Sequence, residues 1–435
     1  MAQIMLKSLY IDNFKSFKKS KFKFGKLNCL IAPNNAGKSN LIFVLNFIND
    51  ALYNGLFAAI SRLDLKNIRN YHYKENLIEI EAEYEINNEV LVGTTLIKYE
   101  NKLSVVFKID LETKIYNFDV DIKGKLKYID VEKFDLKNNL GYFDLKVYNN
   151  FIEYNLSNYD KYLNSLNKKR FSNFELQYSQ NSHNCIITAN NNIKNIVKKL
   201  YSLVFAEEKL VSTFDFKNIF NNFQLFNYFY FDINQIKKPE LTGNNFLLYN
   251  GKNLIEVLDF LNKNNNKVFE NISISLIGEI EGIRGLEMDN SLFFPSLKLK
   301  EEIGADEYNI DIWNASDGTI HFIAIMTAIL SNENSIGIMI EEPERHLHMK
   351  VLSYILNSMR DCEAQIFFTT HSGELLKILK QDEIIFLYRD ELNGDTKGLS
   401  ASKIKKLDKL FKKYKYEITE IIKDGVLGYL GDYDG

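Results

Sequence analysis

The chain holds few of the residues that staple or interrupt a fold. Only 3 cysteines occur in 435 residues, Cys29, Cys185 and Cys362. An odd, widely spaced set without a CxxC pair supports neither a disulfide framework nor a cysteine zinc site. Prolines number 4, so most breaks between elements must come from glycine, asparagine and aspartate. No apolar run reaches the ~18 residues of a membrane span, and the lysine-rich start lacks the apolar core of a secretory leader. The expectation is a cytoplasmic protein with no membrane contact. An excess of one charge is missing too: a net charge of −3 makes no case for coating nucleic acid, which leaves only local basic patches for such a role.

What is there begins at residue 32. Ala32-Pro33-Asn34-Asn35-Ala36-Gly37-Lys38-Ser39-Asn40 follows the apolar run Leu27 to Ile31 and precedes the apolar-periodic stretch Leu41 to Phe47. Between a strand and a helix, the backbone amides of Asn34 to Asn40 can curl around a polyphosphate. Lys38 can reach its terminal phosphates, and the Ser39 hydroxyl can hold Mg²⁺. A glycine usually opens such loops because it tolerates positive φ; Ala32 stands there instead, while Gly37-Lys38-Ser39 is complete.

A second signal is the run Ile336 to Ile340 followed by Glu341-Glu342-Pro343-Glu344. A buried strand that ends in paired carboxylates places both at the C-terminal edge of a sheet. In a nucleotide hydrolase Glu341 would bind Mg²⁺ and Glu342 would orient and deprotonate the attacking water. Phe367-Phe368-Thr369-Thr370-His371-Ser372 is a second apolar strand ending in a polar group, and there His371 can hydrogen-bond a γ-phosphate or the water. His346 and His348 lack a third ligand and read as loop and contact residues. Ala315-Ser316-Asp317-Gly318-Thr319 opens the apolar helix 320–330; a phosphate grip and an ordinary Ser/Asp N-cap explain it equally well.

Strand-like segments at 5–11 and 22–31, a helix from about 40 to 56, and strands at 78–86, 89–97 and 103–109 put an antiparallel sheet beside the phosphate loop. After 310, helices at 320–330, 350–359 and 373–379 alternate with strands at 336–340, 365–369 and 383–388, which implies a parallel sheet. The span 110–222 carries no catalytic signature. Its aromatic end, Phe205 to Phe231, reads as core rather than partner surface, and Lys403 to Lys415 reads as a solvated helix face rather than a nucleic-acid patch.

Taken in order, these motifs resemble the ABC-type ATPases of the SMC/RecF/OLD-like branch, including stand-alone AAA-family ATPases of the bacterial anti-phage type. Asn13-Phe14-Lys15-Ser16-Phe17 matches the opening strand pair and Pro33 to Asn40 the Walker A loop. Ser316 to Thr319 matches the signature, Glu341 to Glu344 with Leu347-His348 the Walker B, and Thr369 to Ser372 the switch histidine. The resemblance implies an α/β fold: an ABC-type head with mixed sheet and P-loop, plus an inserted α-rich or α+β lobe. The expected division is 1–110 and 251–400 for the two parts of the head, 111–250 for the lobe and 401–435 for a helical tail. It also implies ATP and Mg²⁺ as cofactors, and a homodimer or higher even oligomer that sandwiches ATP head to tail. Ser316 and Gly318 of one subunit would complete the other's site, and Lys15 or Ser16 would contact phosphate. One departure is plain: no glutamine lies between Lys38 and Glu100 to serve as a Q-loop.

Two function classes follow. In one, a sensor or regulatory ATPase controls a separate effector protein; in the other, a RecF-like ATPase works on DNA in repair or replication and would show a basic face. The charge balance favours the first. No sustained heptads provide SMC arms, and Asp432 and Asp434 are too isolated to form a nuclease centre.

Overall fold

The computed structural model describes residues 3–33, 35–54, 56–63, 68–70, 72–73, 75–92, 95–112, 116–130, 135–148, 151–157, 169–172, 175–178, 185–188, 224–238, 241–289, 295–304, 306–332, 335–390, 392–404 and 407–422. The chain divides into two compact units, Met1–Phe24 with Asn34–Leu225 and Leu387–Gly398, and Gly25–Pro33 with Phe226–Phe386 and Leu399–Gly435.

The first unit rests on an eight-stranded sheet in the order β2-β1-β4-β5-β6-β7-β8-β9. Its strands are β1 (Gln3–Asp12), β2 (Ser20–Lys23), β4 (Leu77–Val92), β5 (Thr95–Asp110), β6 (Tyr116–Asp130), β7 (Asp135–Tyr148), β8 (Phe151–Ser157) and β9 (Lys169–Ser172). All pairings among them are antiparallel, and β4 and β5 stay in register from Leu77↔Asp110 to Val92↔Thr95. Strands β10 (Glu175–Tyr178) and β11 (Cys185–Thr188) form a separate hairpin.

Alternation explains the first strands of this sheet. Ile78, Ile80, Ala82, Tyr84 and Ile86 are buried while their neighbours are polar, so one face is dry. Helix α1 (Lys38–Asn54) lies against it, with Phe47 6.0 Å from Phe107 and 5.9 Å from Phe14. A short α2 (Leu56–Ser61) follows. Where the sequence suggests one strand over 89–97, β4 ends at Val92 and β5 begins at Thr95, and the lone Gly93 between them was too weak a turn signal to read. Every named element between 116 and 188 is a strand.

The second unit is built on a six-stranded sheet in the order β12-β16-β17-β3-β18-β19. Here β3 is Leu27–Ile31, β12 Gln224–Phe229, β16 Ser335–Glu341, β17 Gln365–Thr370, β18 Ile384–Arg389 and β19 Thr396–Ser400. The pairs β16–β17, β17–β3 and β3–β18 are parallel. β17 and β3 are buried at every position and β16 at all but its last, as near-continuous apolar strands covered on both faces must be. A three-stranded sheet of β13 (Ile283–Asp289), β14 (Ser296–Ile303) and β15 (Asp306–Asp311) adjoins helices α3 (Leu254–Asn264) and α4 (Asn266–Glu279).

Helix α5 (Asp317–Ser331) is buried almost all round. In α6 (Met349–Asp361) the buried residues Val351, Leu352, Ile355, Leu356 and Met359 form one stripe. Helix α7 (Leu407–Lys413) lies within the lysine-rich segment, with its lysines towards its C-terminal end. Phe226, Phe229 and Phe231 are all buried.

Three sequence expectations change here. The segment 22–31 is not one strand: β2 and β3 lie in different sheets. The Asn28 side chain accepts from the Gly25 amide and donates to its carbonyl at 2.8 and 2.9 Å, which caps a turn where pairing would have continued. The expected helix over 373–379 is a single 3₁₀ turn, Leu375–Lys377. Lys377 and Ile378 bond three residues back, and the one four-residue bond, from the Leu379 amide to the Leu375 carbonyl at 3.2 Å, is not continued into an α-helix. Finally, β12 lies inside the span 111–250 yet belongs to the six-stranded sheet, where its Phe226 packs on Phe367 with ring centres 5.4 Å apart.

Candidate active site

The register of the six-stranded sheet brings three strand ends to one edge. Glu341 pairs with Thr369, Thr369 with Leu30 and Thr370 with Ile31. The chain therefore leaves β3 through Ala32 and Pro33 on the edge where β16 delivers Glu341 and Glu342 and β17 delivers His371. Ligands of parallel sheets bind beyond this carboxyl edge.

Glu341 closes β16; burial first, then the Glu341 charge, pushes the phenol of Tyr228 on β12 well above its ordinary range. Glu342 takes a left-handed backbone, φ +47°. Its amide donates to the Thr369 carbonyl at 3.1 Å, which fixes it to the end of β17. Its carboxylate Oε2 accepts from Arg345 Nε at 2.6 Å, and Arg345 Nη1 donates to the Tyr230 hydroxyl at 2.9 Å. Glu344 Oε1 accepts from both Thr370 Oγ1 at 2.6 Å and the His371 amide at 3.0 Å. The turn after β16 thereby holds the segment that carries the exposed His371. His346 and His348 sit exposed in that turn and at the start of α6.

The turn also packs on α5. Ser316 is the N-cap of α5, its Oγ accepting from the Thr319 amide at 3.1 Å, and Asp317 pairs with Lys237 at 2.7 Å. The N-cap reading of Ser316 therefore holds locally. Gly318 faces the backbone of the turn: a Cβ there would stand 2.5 Å from the His346 carbonyl oxygen, so no other residue fits without moving it.

His321, one turn further on, is 2% exposed. Its Nδ1 lies 2.6 Å from the Arg345 carbonyl oxygen and must carry the proton, since a carbonyl only accepts. Burial, against the opposing pull of that bond, lowers its pKa from 6.5 to about 4. The unfolded chain takes up this proton near 6.5 and the folded one only near 4. The contribution to stability is thus complete above pH 6.5 and is withdrawn as pH falls towards 4, to a total of roughly 3 kcal/mol. In urea titrations His321→Gln should lose about 2 kcal/mol less than the parent between pH 7 and pH 5; an unchanged pH slope would rule His321 out as its source.

In the first unit, the described part of the loop, Asn35 to Gly37, runs straight into α1 at Lys38, and the Leu41 amide bonds to the Gly37 carbonyl at 3.0 Å. Asn34 lies outside the described residues. Asn35 and Gly37 adopt positive φ, +69° and +101°, and the Asn35 carbonyl accepts from Arg389 Nε at 2.9 Å. Gly37 is required twice over, since a Cβ would also stand 2.5 Å from Thr396 Oγ1. Lys38 and Ser39 occupy the first turn of α1, which contains no acidic residue, and an uncompensated helix N-terminus attracts anions.

Asn40 Nδ2 and Thr396 Oγ1 both donate to Ser16 Oγ, at 2.7 and 2.8 Å. Ser16 is thereby tied to the loop helix. Lys15 instead sets its ammonium 3.9 Å from the centre of the Phe43 ring, where burial lowers its pKa. The sequence reading did not single out Arg345, Tyr228, Tyr230, Arg389 or Thr396.

A known protein family described as "AAA domain, putative AbiEii toxin, Type IV TA system" matches residues 27–377. That is well over half of the chain. The chain belongs to this AAA family. An "ATP/GTP phosphatase" of Helicobacter pylori (strain ATCC 700392 / 26695) is 23% identical over 397 residues, which cover 87% of this chain and 88% of that protein.

Similar solved structures include an SMC head bound to the C-winged helix domain of ScpA, with 14% identity, TM-score 0.46, and 92% of this chain and 99% of that one covered. Another is the SMC head domain from Thermotoga maritima, with 11% identity, TM-score 0.42, and coverage of 91% and 98%. The protein is an ATP-hydrolysing enzyme of the AAA type. No helix among its described residues is long and apolar enough to cross a membrane.

Proposed function

We propose that this AAA enzyme closes as a head-to-tail homodimer around two ATP molecules and uses that cycle to regulate a separate effector protein in the cytoplasm, in a bacterial anti-phage setting. The observation that carries the hydrolytic part is the shared edge of β3, β17 and β16, where the chain leaves β3 through Ala32 and Pro33 at the same sheet edge as Glu341 and the end of β17. The head would comprise residues 1–110 and the chain from β12 to 400, the lobe the span between them and the tail 401–435. The toxin–antitoxin wording of the family description favours the defence setting.

In this reading the amides of Asn34 to Asn40 and the Lys38 ammonium bind the β- and γ-phosphates. Ser39 and Glu341 would hold Mg²⁺, which neutralises charge on the phosphate oxygens when bound. Glu342 takes a proton from the attacking water, the water oxygen bonds to the γ-phosphorus as the bond to the β-phosphate bridging oxygen breaks, and His371 donates to the γ-phosphate.

Ser316 is the group offered in trans. It caps a 15-residue helix whose dipole and free amides favour a phosphate. Ser316→Arg should retain ATP binding and lose at least ~10-fold in turnover, the scale of one phosphate-stabilising contact. Mixing it with a Lys38→Ala variant should recover turnover that neither shows alone, because one composite site per mixed dimer is then intact. Full turnover by Ser316→Arg alone would contradict the trans site.

A further inference from the structure

The arginine beside the proposed base is the group that neither the motifs nor the family description accounts for. Arg345 is held from three sides: Nη1 donates to the Tyr230 hydroxyl at 2.9 Å, the guanidinium carbon lies 4.9 Å from the centre of the Tyr230 ring, and its backbone carbonyl accepts from His321. From that anchored position Nε reaches only Oε2 of Glu342, at 2.6 Å. Oε1 makes no hydrogen bond among the described residues. The Glu342 backbone is fixed as well, by its left-handed φ and its amide bond to Thr369.

A half-exposed ion pair three residues apart, with side chains 38% and 27% exposed, contributes little to folding. A guanidinium locked by a tyrosine is instead a means of fixing direction: its planar fork holds one carboxylate oxygen and leaves the other as the acceptor. We propose that Arg345, braced by Tyr230, is a positioning residue for ATP hydrolysis that holds Glu342 Oε2 so that Oε1 faces the attacking water. This inference rests on the reading of Glu342 as the base. In this inference Arg345 acts through Glu342, so its effect should fall on the chemical step rather than on nucleotide affinity.

The test is steady-state ATP hydrolysis by the full chain, with nucleotide binding and thermal unfolding measured alongside. Arg345→Ala should lower kcat by ~10- to 100-fold, the scale of a misplaced catalytic group, with KM for ATP within about twofold and an unchanged melting temperature. Arg345→Lys, which keeps the charge but not the fork, should recover part of that loss, and Tyr230→Phe should cost a few-fold. Adding Arg345→Ala to Glu342→Gln should produce no further loss, since the two act through one carboxylate.

An unchanged kcat in Arg345→Ala, or an equal loss with and without Glu342, would overturn the inference while an inactive Glu342→Gln still upheld the base. Full activity in Glu342→Gln would overturn the base itself. A loss seen only in KM would assign Arg345 to binding and also refute the proposal.

Discussion

Glu342→Gln is expected to bind ATP as tightly as the parent and to turn it over about 10³-fold more slowly, within the range that general base catalysis contributes. The amide has the shape of the carboxylate but cannot take a proton from water. Nothing in the surroundings should shift with it: the φ of +47° and the bond from the Glu342 amide to Thr369 belong to the backbone, and an amide oxygen still accepts from Arg345 Nε. Binding is set elsewhere in the proposed site, by the loop and by Lys38. Equilibrium binding of a fluorescent ATP analogue together with phosphate release separates the two effects. Hydrolysis at the parent rate would remove Glu342 from the mechanism and pass the role to another group at the strand edge.

Lys38→Ala acts on the other term. Lys38 opens α1 directly after Gly37, where the helix N-terminus and the left-handed loop already favour an anion. Removing a charge-assisted bond to a polyphosphate costs about 3 kcal/mol, roughly a 10²-fold loss in ATP affinity. Turnover should fall with it, because the same ammonium faces charge that grows on the γ-phosphate. The fold should be unaffected, since the replaced side chain lies in the first helical turn and alanine favours helix. A dissociation constant within twofold of the parent would contradict the phosphate reading of the loop.

The strand ends at the candidate site were legible because they are written locally. Apolar strands that end in Glu341-Glu342 and in Thr370-His371 announce both their burial and their exit point, and Gly37-Lys38 marks a strand-to-helix turn within a few residues. The partners of these groups were not legible, because they come from distant parts of the chain. Tyr228 and Tyr230 stand more than a hundred residues before Glu341, and their strand is hidden in a stretch rich in aromatics, asparagine and lysine. Thr396, which closes over Gly37, arrives from the far end of the chain.

Short-range patterns misled where tertiary bonds decide. The periodicity of 373–379 favours a helix, yet the Lys377 and Ile378 amides bond three residues back and leave a single 3₁₀ turn. An alternating run through 22–31 hides a turn that only the side-chain bonds of Asn28 reveal. The extent of the antiparallel sheet had no signature of its own, because β-pairing depends on partners rather than on local propensity.

The claim on which the rest depends is that two chains share their ATP. Native mass spectrometry of Glu342→Gln, with and without ATP and Mg²⁺, tests it most directly, because a variant that binds but cannot hydrolyse should accumulate the closed state. The account predicts single chains without nucleotide and a dimer, or a higher even assembly, carrying two ATP per pair of chains when nucleotide is present. A single chain that holds ATP at saturation, or an assembly indifferent to nucleotide, would contradict it.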